Sequence, residues 1–413
     1  MRVSDFKYLI VGGGLAAARA CEGIREVDSD GSIGLVAAEP HLPYHRPPLS
    51  KAYLRGTRRR SRLYVHPEAY YGERNIMAYL GVEAQRITRR SRRVLLSTGE
   101  SLGYEELLLA TGGRAWRLPL TGADLEGVVT LRTIDDSDAI RASVEDARNV
   151  VVIGGSFIGV EVAASLAQMG ASVSLCFLEE YPLQAVIPPD LGQHVRSRLE
   201  QHGVRVISGV RPERIEGETR AESVRLEDGR IVDADLVVMG VGIRLNTQIA
   251  RDAELDLSDM SGVVVDEHLR TSDPHIYAAG DIAAWPDPHT GQRTRVEHWD
   301  VAYHQGHCAG RNMAGAAEPY HRLPVFFSDI FDLSLQAWGS LARPESIVRR
   351  GSLAANAIVF WYVREGHICG ALAMGQPEGE LASIEQIVAR GLPVEGAAAT
   401  LMDAQADLAG LLE

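Results

Sequence analysis

Two stretches of this chain, about 140 residues apart, repeat one order of residue types, and few folds accommodate it. The first is Lys7-Tyr8-Leu9-Ile10-Val11 followed by Gly12-Gly13-Gly14-Leu15-Ala16-Ala17. The second is Asn149 to Ile153 followed by Gly154-Gly155-Ser156-Phe157-Ile158-Gly159. In each, a short apolar run enters a glycine-rich turn and a helical run leaves it, from Leu15 to about Glu26 and from Val160 to Met169. The pattern predicts strand, tight turn and helix, the opening of a βαβ unit. Gly12 permits a sharp turn, Gly14 leaves the backbone open to close approach, and Ala17 lets the helix pack near its strand. The free N–H groups at the start of such a helix, with the positive end of its dipole, suit a pyrophosphate. A second strand then ends near an acid in each unit: Ile33 to Ala37 before Glu39, and Ser172 to Phe177 before Glu179. A carboxylate about 20 residues past the glycines is where a ribose hydroxyl is held. Either loop alone also fits an ordinary glycine-rich turn; the preceding strand and the following acid narrow the reading.

Two such units imply two dinucleotides. A carboxylate at each ribose position disfavours a 2′-phosphate, so FAD with NADH is expected in preference to NADPH. Glu180 adjoins Glu179 and is an alternative for the second acid. Ser156 stands where the middle glycine usually lies, so close approach of a phosphate is expected to be crowded there rather than blocked.

A chain of 413 residues is too long for one core, and two or three domains are expected. No run approaches the 18 apolar residues of a membrane-spanning helix, and Met1 to Asp5 lead straight into the first strand, which favours the cytoplasm. A formal net charge of -13 argues against nucleic-acid binding. Basic residues cluster at Arg55 to Arg62 and Arg89 to Arg93, read as solvated loops or as a docking patch for an acidic protein. Cys21, Cys176, Cys308 and Cys369 lie far apart, with no CxxC or CxxxxC spacing. This excludes the usual redox-active disulfide and zinc signatures, so no metal site is expected.

Along the chain, Pro43 to Pro48 is barred from strand and helix interiors. A helical run is expected from Ser50-Lys51 to about Arg55, and a hairpin around Thr98-Gly99. A buried strand is expected from Leu107 to Ala110 and a hairpin around Asp228-Gly229. A helix is expected from about Val301 to Met313. After Pro324 the pattern turns to antiparallel strands, closed by a helix from about Leu381 to Arg390. The tail from Gly396 is alanine-rich and poorly specified.

The motifs in order are VGGGLAAA at 11 to 18, PYHRPPLSK at 43 to 51, LLLATGG at 107 to 113, VVIGGSFIGVEVAA at 151 to 164, IYAAGDIA at 276 to 283, VEHWDVAYHQG at 296 to 306 and FFSDIFDLSLQAWG at 326 to 339. Together they resemble the ferredoxin reductase family of two-dinucleotide-binding flavoproteins, a group that includes putidaredoxin reductases, apoptosis-inducing factor and monodehydroascorbate reductase. The likeness covers nearly the whole chain. It implies an α/β protein with two Rossmann-like dinucleotide-binding domains, glutathione reductase-like, plus a C-terminal α+β domain. The implied boundaries are 1–114 with 245–319 for FAD, 115–244 for NAD(H), and 320–413 for an interface domain.

The resemblance also implies roles. For FAD these fall on Gly12, Gly14, Leu15, Glu39, Arg46, Lys51, Ala84, Arg132, Asp281 and Trp299. Lys51 would lie near flavin N5 and Trp299 against the isoalloxazine ring. For NADH they fall on Gly154, Gly155, Ser156, Gly159, Glu161, Glu179, Gly242 and Glu297, with Glu161 approaching Lys51. His298 replaces a serine of some members and is a candidate for tuning the flavin. Each has a plainer alternative: Lys51 a surface lysine, Trp299 a core tryptophan, Glu161 a helix-start acid. The implied activity is hydride transfer from NADH to FAD, then single-electron transfer to a ferredoxin-like iron–sulfur protein. Arg58 to Arg62 or Arg343 to Arg350 are candidate docking charges. The alternatives are a reductase of a small radical or quinone, and a redox sensor like apoptosis-inducing factor. A monomer or a homodimer is compatible with all of them.

Overall fold

The computed structural model describes residues 4–413, and the chain divides into two compact units. The first comprises the chain up to His45, Arg60–Arg114 and Arg244–Pro324. Its centre is a seven-stranded sheet. Ile76–Leu80, Ile33–Ala37, Ser4–Val11 and Ser101–Leu109 lie side by side in parallel, and Ile276–Ala278 adds to the last of these. Arg93–Leu96 and Ala84–Thr88 complete an antiparallel edge, so the hairpin read at Thr98-Gly99 is present. The central strands are buried on both faces, with Leu9, Ile10, Leu35 and Leu108 fully enclosed. That is why they read as continuous apolar runs rather than alternating ones.

Register fixes where chemistry can sit. Val11 pairs with Val36 and with Leu109, and Leu109 pairs with Ala278. The carboxyl ends of four strands are therefore level, and the segments leaving them carry Gly12 to Gly14, Glu39, Gly112 and Gly280-Asp281 at one edge. Ligands of open α/β sheets bind at that edge. On one face of the sheet the helices Leu15–Val27 and Trp299–Met313 cross in close contact. A Cβ at Gly306 would lie 2.2 Å from the Ala16 carbonyl oxygen, and one at Gly310 the same distance from that of Ala20. Only glycine permits that approach.

The second unit comprises Arg46–Arg59, Ala115–Ile243 and Val325–Glu413. It holds a five-stranded parallel sheet in the order Arg205–Ile207, Ser172–Cys176, Asn149–Ile153, Leu236–Met239 and Val128–Thr130. A three-stranded antiparallel meander contains the hairpin at Asp228-Gly229. A separate five-stranded antiparallel sheet spans Val325 to Met374, closed by the helix Glu378–Arg390.

Two expectations need correction. Ser50-Lys51 does not open a helix: Pro47–Ser50 is a single 3-10 turn, and hydrogen-bonded turns follow to Gly56. The backbone bonds there are of mixed span, Lys51 N–H reaching the Pro48 carbonyl at 3.0 Å and Tyr53 N–H the same carbonyl at 2.9 Å, so no regular helix propagates. The tail is well specified, because Leu401 and Leu408 are buried and Arg350 reaches it. That guanidinium is 2% exposed and donates to the carbonyls of Thr400 (3.1 Å) and Ala406 (2.7 Å), with Glu380 at 3.3 Å. Arg350 is thus a structural clamp and not a docking charge. Arg89 to Arg93 is also largely engaged: Arg89 pairs with Asp273 at 2.7 Å and Arg93 with Asp5 at 3.1 Å. Arg58, Arg59 and Arg62 are exposed.

Candidate functional site

In the first unit the turn after the first strand forms as its glycines require. Gly12 has φ +142°, and a Cβ there would lie 2.1 Å from the Ala110 carbonyl oxygen. Gly12 N–H donates to Val36 O at 2.8 Å, which ties the turn to the neighbouring strand. Around Gly14, by contrast, an added Cβ would meet nothing within 4 Å. The helix Leu15–Val27 begins there without a side-chain cap. An open backbone at an uncapped helix start is an anion cradle.

Glu39 follows the second strand and accepts a hydrogen bond from the Tyr44 hydroxyl. Its own carbonyl receives Gly81 N–H at 3.0 Å, which draws the ends of two strands together. Ala84 opens the edge strand Ala84–Thr88. Asp281 lies in the 3-10 turn Gly280–Ile282. Gly280 N–H donates to Gln305 Oε1 at 3.0 Å, while the fully buried Gln305 Nε2 has no hydrogen-bond partner. Such an orphaned donor is costly unless something fills it. Gln305 drew no notice in the sequence; its helical position one residue before Gly306 was the only signal.

Trp299 starts the helix Trp299–Met313, donates from Nε1 to His45 Nδ1 at 3.0 Å, and stacks on Tyr303 with centroids 4.9 Å apart. Tyr303 in turn lies under the Arg19 guanidinium at 3.9 Å. The indole is therefore held in one orientation by a ring, a cation and a histidine. Glu297 is exposed and paired with Arg295 at 2.7 Å.

His298 precedes this helix. Burial pushes its imidazole down to about 4, against the opposing pull of Asp281 and Asp300. It is neutral at pH 7. The unfolded chain binds that proton below about 6.5 and the folded chain only below about 4, so stability falls as pH drops between the two. Relative to His298→Asn, the wild type is expected to lose up to about 3 kcal/mol across this window, at about 1.4 kcal/mol per pH unit. Denaturant unfolding of both proteins at pH 4.5 and 7 checks this. Equal losses in the two would contradict it.

In the second unit Gly154 has φ +122°, and Ser156 stands just before the helix Phe157–Gln168 without capping it through its hydroxyl. The Ser156 Oγ donates instead to the Gly240 carbonyl at 2.8 Å. The serine side chain is thus turned onto the adjacent strand end. Glu179 is exposed, three residues past the strand Ser172–Cys176, and Gly242 is exposed with φ +99°. Arg46 and Arg132 meet, Arg46 Nη1 donating to the Arg132 carbonyl at 2.5 Å.

Glu161 is the most enclosed acid of this unit's candidate residues, at 4% exposure. Lys51 Nζ lies 2.7 Å from its Oε1. Ser50 Oγ donates to Oε2 at 2.5 Å, and Ser328 Oγ donates to Oε1 at 2.7 Å. Glu161 is therefore neither an exposed helix-start acid nor a free base. It is a carboxylate with three donors, and Lys51 is a paired cation rather than a surface lysine. Neither serine was marked by the sequence, because a hydroxyl 111 or 167 residues from its acceptor leaves no local pattern.

All four cysteines are free. Burial pushes the thiols of Cys21, Cys176 and Cys308 up to about 12, so none is a thiolate at neutral pH.

Residues 6–306 match the model of the family described as pyridine nucleotide-disulphide oxidoreductase. The chain belongs to that family. As a pyridine nucleotide-disulphide oxidoreductase family member it also matches, over residues 325–412, the domain described as reductase C-terminal. It is 35% identical, over 88% of both chains, to the 5,5'-dehydrodivanillate O-demethylase ferredoxin reductase subunit of Sphingobium sp. (strain NBRC 103272 / SYK-6). It is 34% identical to the anthranilate 1,2-dioxygenase system ferredoxin–NAD(+) reductase component of Burkholderia cepacia, covering 93% of this chain and 94% of that one. Among solved structures it is similar to the covalent putidaredoxin reductase–putidaredoxin complex, with TM-score 0.93 and 31% identity over 99% of this chain and 98% of the other.

The donor set fits the two groups this family implies. The cradle at Gly14, the unfilled Gln305 amide and the carboxylates at Glu39 and Asp281 suit FAD. The uncapped start of the helix Phe157–Gln168 suits a second pyrophosphate. No helix among the described residues is long and apolar enough to cross a membrane.

Proposed function

We propose that this chain is an FAD-dependent NADH oxidoreductase that passes electrons one at a time to a small ferredoxin-like iron–sulfur protein. The observation that carries the reading is the enclosed Lys51–Glu161 pair at 2.7 Å, in a chain with two dinucleotide loops and no reactive thiol. Bound flavin supplies the chemistry, accepting a hydride and releasing electrons singly. The residues bind and orient. Gly12, Gly14, Leu15, Glu39, Ala84 and Asp281, with Arg46 and Arg132, hold FAD. Gly154, Gly155, Ser156, Gly159, Gly242 and Glu297 hold the nicotinamide dinucleotide. Lys51 presents a fixed positive charge to the flavin, where it favours the electron-rich reduced form. Trp299, braced by His45 and Tyr303, excludes water from the ring.

Glu179 at the second ribose position favours NADH over NADPH, because a carboxylate repels a 2′-phosphate. The relatives named as ferredoxin reductases support the iron–sulfur acceptor. The absence of a thiolate supports a path from nicotinamide to flavin and onward without a protein sulfur.

The test is an anaerobic titration of the flavin-loaded protein with NADH and, separately, NADPH, followed by addition of an oxidised ferredoxin. Bleaching of the visible flavin bands near one NADH per flavin, then rapid recovery with ferredoxin, is expected. Bleaching with recovery only by small quinones would move the assignment to a small-molecule reductase. No bleaching by either nucleotide would remove it.

A further inference from the structure

The carboxylate of Glu161 is met by side chains from distant parts of the sequence, and each reaches a defined oxygen. Ser50 Oγ takes Oε2 at 2.5 Å, whereas Ser328 Oγ and Lys51 Nζ share Oε1, each at 2.7 Å. Ser50 and Ser328 are 1% and 0% exposed. An ammonium is a compact charge on a flexible stem, so an ion pair alone fixes neither partner's orientation. Two hydroxyl donors on opposite oxygens orient the carboxylate, and with it the remaining lone pair of Oε1 that faces the lysine.

The donors are themselves braced. The Ser50 carbonyl receives the Ser165 hydroxyl at 2.7 Å, and Ser165 Oγ accepts from Arg55 Nη1 at 3.2 Å. Ser328 sits in the strand Val325–Ile330, opposite Leu335 in the next strand of the C-terminal sheet. Alternation along this strand turns Ser328 inward while Phe327 and Asp329 face out. A hydroxyl at an inward position of an apolar sheet needs a reason, and the acid paired with Lys51 accepts its hydrogen bond.

We propose that Ser50 and Ser328 are positioning residues which, acting through Glu161, hold the Lys51 ammonium at one point in front of the flavin. The proposal rests on the reading of Lys51 given above. It makes the C-terminal sheet a contributor to hydride transfer through one side chain, in addition to any role in meeting a partner.

The experiment uses the flavin-loaded protein and its Ser50→Ala, Ser328→Ala, Ser328→Thr and Lys51→Met variants. The flavin midpoint potential is measured by equilibration with a reference dye, and the limiting rate and apparent NADH Kd of flavin bleaching by anaerobic stopped flow. Each alanine variant is expected to lower the limiting rate about tenfold, as loss of orientation does, with the apparent Kd unmoved. Each is also expected to shift the midpoint potential in the direction that Lys51→Met shifts it, and Ser328→Thr to recover both values. If both alanine variants lower only the melting temperature, and potential and limiting rate stay at the wild-type values, the serines are merely structural and the proposal fails. A Lys51→Met shift without any shift in the serine variants overturns this proposal alone. A wild-type protein that NADH does not bleach overturns the functional reading beneath it as well.

Discussion

Glu161→Leu is expected to destabilise the flavin-free protein by about 3–5 kcal/mol, the cost of leaving one partner of a buried ion pair alone. The leucine fills much of the space but accepts nothing. Lys51, with its side chain 13% exposed, would keep a positive charge without its carboxylate. The Ser328 hydroxyl would lose its acceptor, and the Ser50 hydroxyl would be left with the Pro47 carbonyl at 3.4 Å. Glu161→Gln separates these contributions. An amide oxygen still accepts from one hydroxyl, yet offers no charge to the lysine, so its loss is expected to be roughly half as large. Denaturant midpoints of the two variants and the wild type, measured without flavin, give the comparison. A Glu161→Leu protein as stable as the wild type would mean that the pair is balanced by its own desolvation, as some buried pairs are. With flavin bound, the limiting rate of bleaching by NADH is expected to fall at least tenfold in Glu161→Leu, because the lysine is no longer held.

The second large effect separates two glycines of one loop, Gly12 and Gly14. Gly12→Ala places a methyl 2.1 Å from a carbonyl oxygen and 2.5 Å from its carbon, on a backbone with φ +142°. Both the strained φ and the collision act on the protein itself. Gly12→Ala is therefore expected to lower the stability of the flavin-free chain by several kcal/mol, and FAD affinity at least a hundredfold, about 3 kcal/mol. Gly14→Ala places its methyl in open space. It is expected to leave the flavin-free unfolding midpoint near wild type and still to weaken FAD, because the methyl occupies the room a phosphate needs. Visible absorbance per protein after purification reports flavin content, and denaturant unfolding of the stripped proteins reports stability. Equal stability losses in both variants would refute this division of roles.

Much of the frame was legible because it depends on short patterns. The parallel strands Ser4–Val11, Ile33–Ala37 and Asn149–Ile153 are buried on both faces and so appear as unbroken apolar runs. Gly12 and Gly154 carry their conformational demand in the residue itself. The antiparallel sheet after Val325 shows as short strands at close spacing. What stayed hidden depends on long-range pairing. Gln305 looks like any polar helix residue until Gly280 is seen beside it. Arg350 falls in a basic stretch that reads as surface, and only the fold turns it inward onto the tail carbonyls. Ser156 is instructive in the other direction. By residue type it weakens the second loop, yet the Gly240 carbonyl 84 residues on gives its hydroxyl a partner. The Lys51–Glu161 pairing came from likeness to a family, since nothing in the residues alone joins positions 51 and 161.

The crossing of the helices Leu15–Val27 and Trp299–Met313 has a consequence for how the protein is made. The first helix leaves the ribosome early, but the glycines that let its partner lie against it are Gly306 and Gly310. The strand Ile276–Ala278 that completes the parallel part of the first sheet is almost as late. At translation speeds of about 5–20 residues per second, the apolar side of the first helix waits on the order of tens of seconds for its cover. Meanwhile the parallel sheet between Val128 and Met239 emerges from one continuous stretch of chain, the meander of Pro212–Glu216, Ser223–Leu226 and Ile231–Asp233 falling before its last strand. The second unit can thus order its parallel sheet before the first unit has its last segment. The helix Leu15–Val27, not the middle of the chain, is then the stretch left longest without its cover.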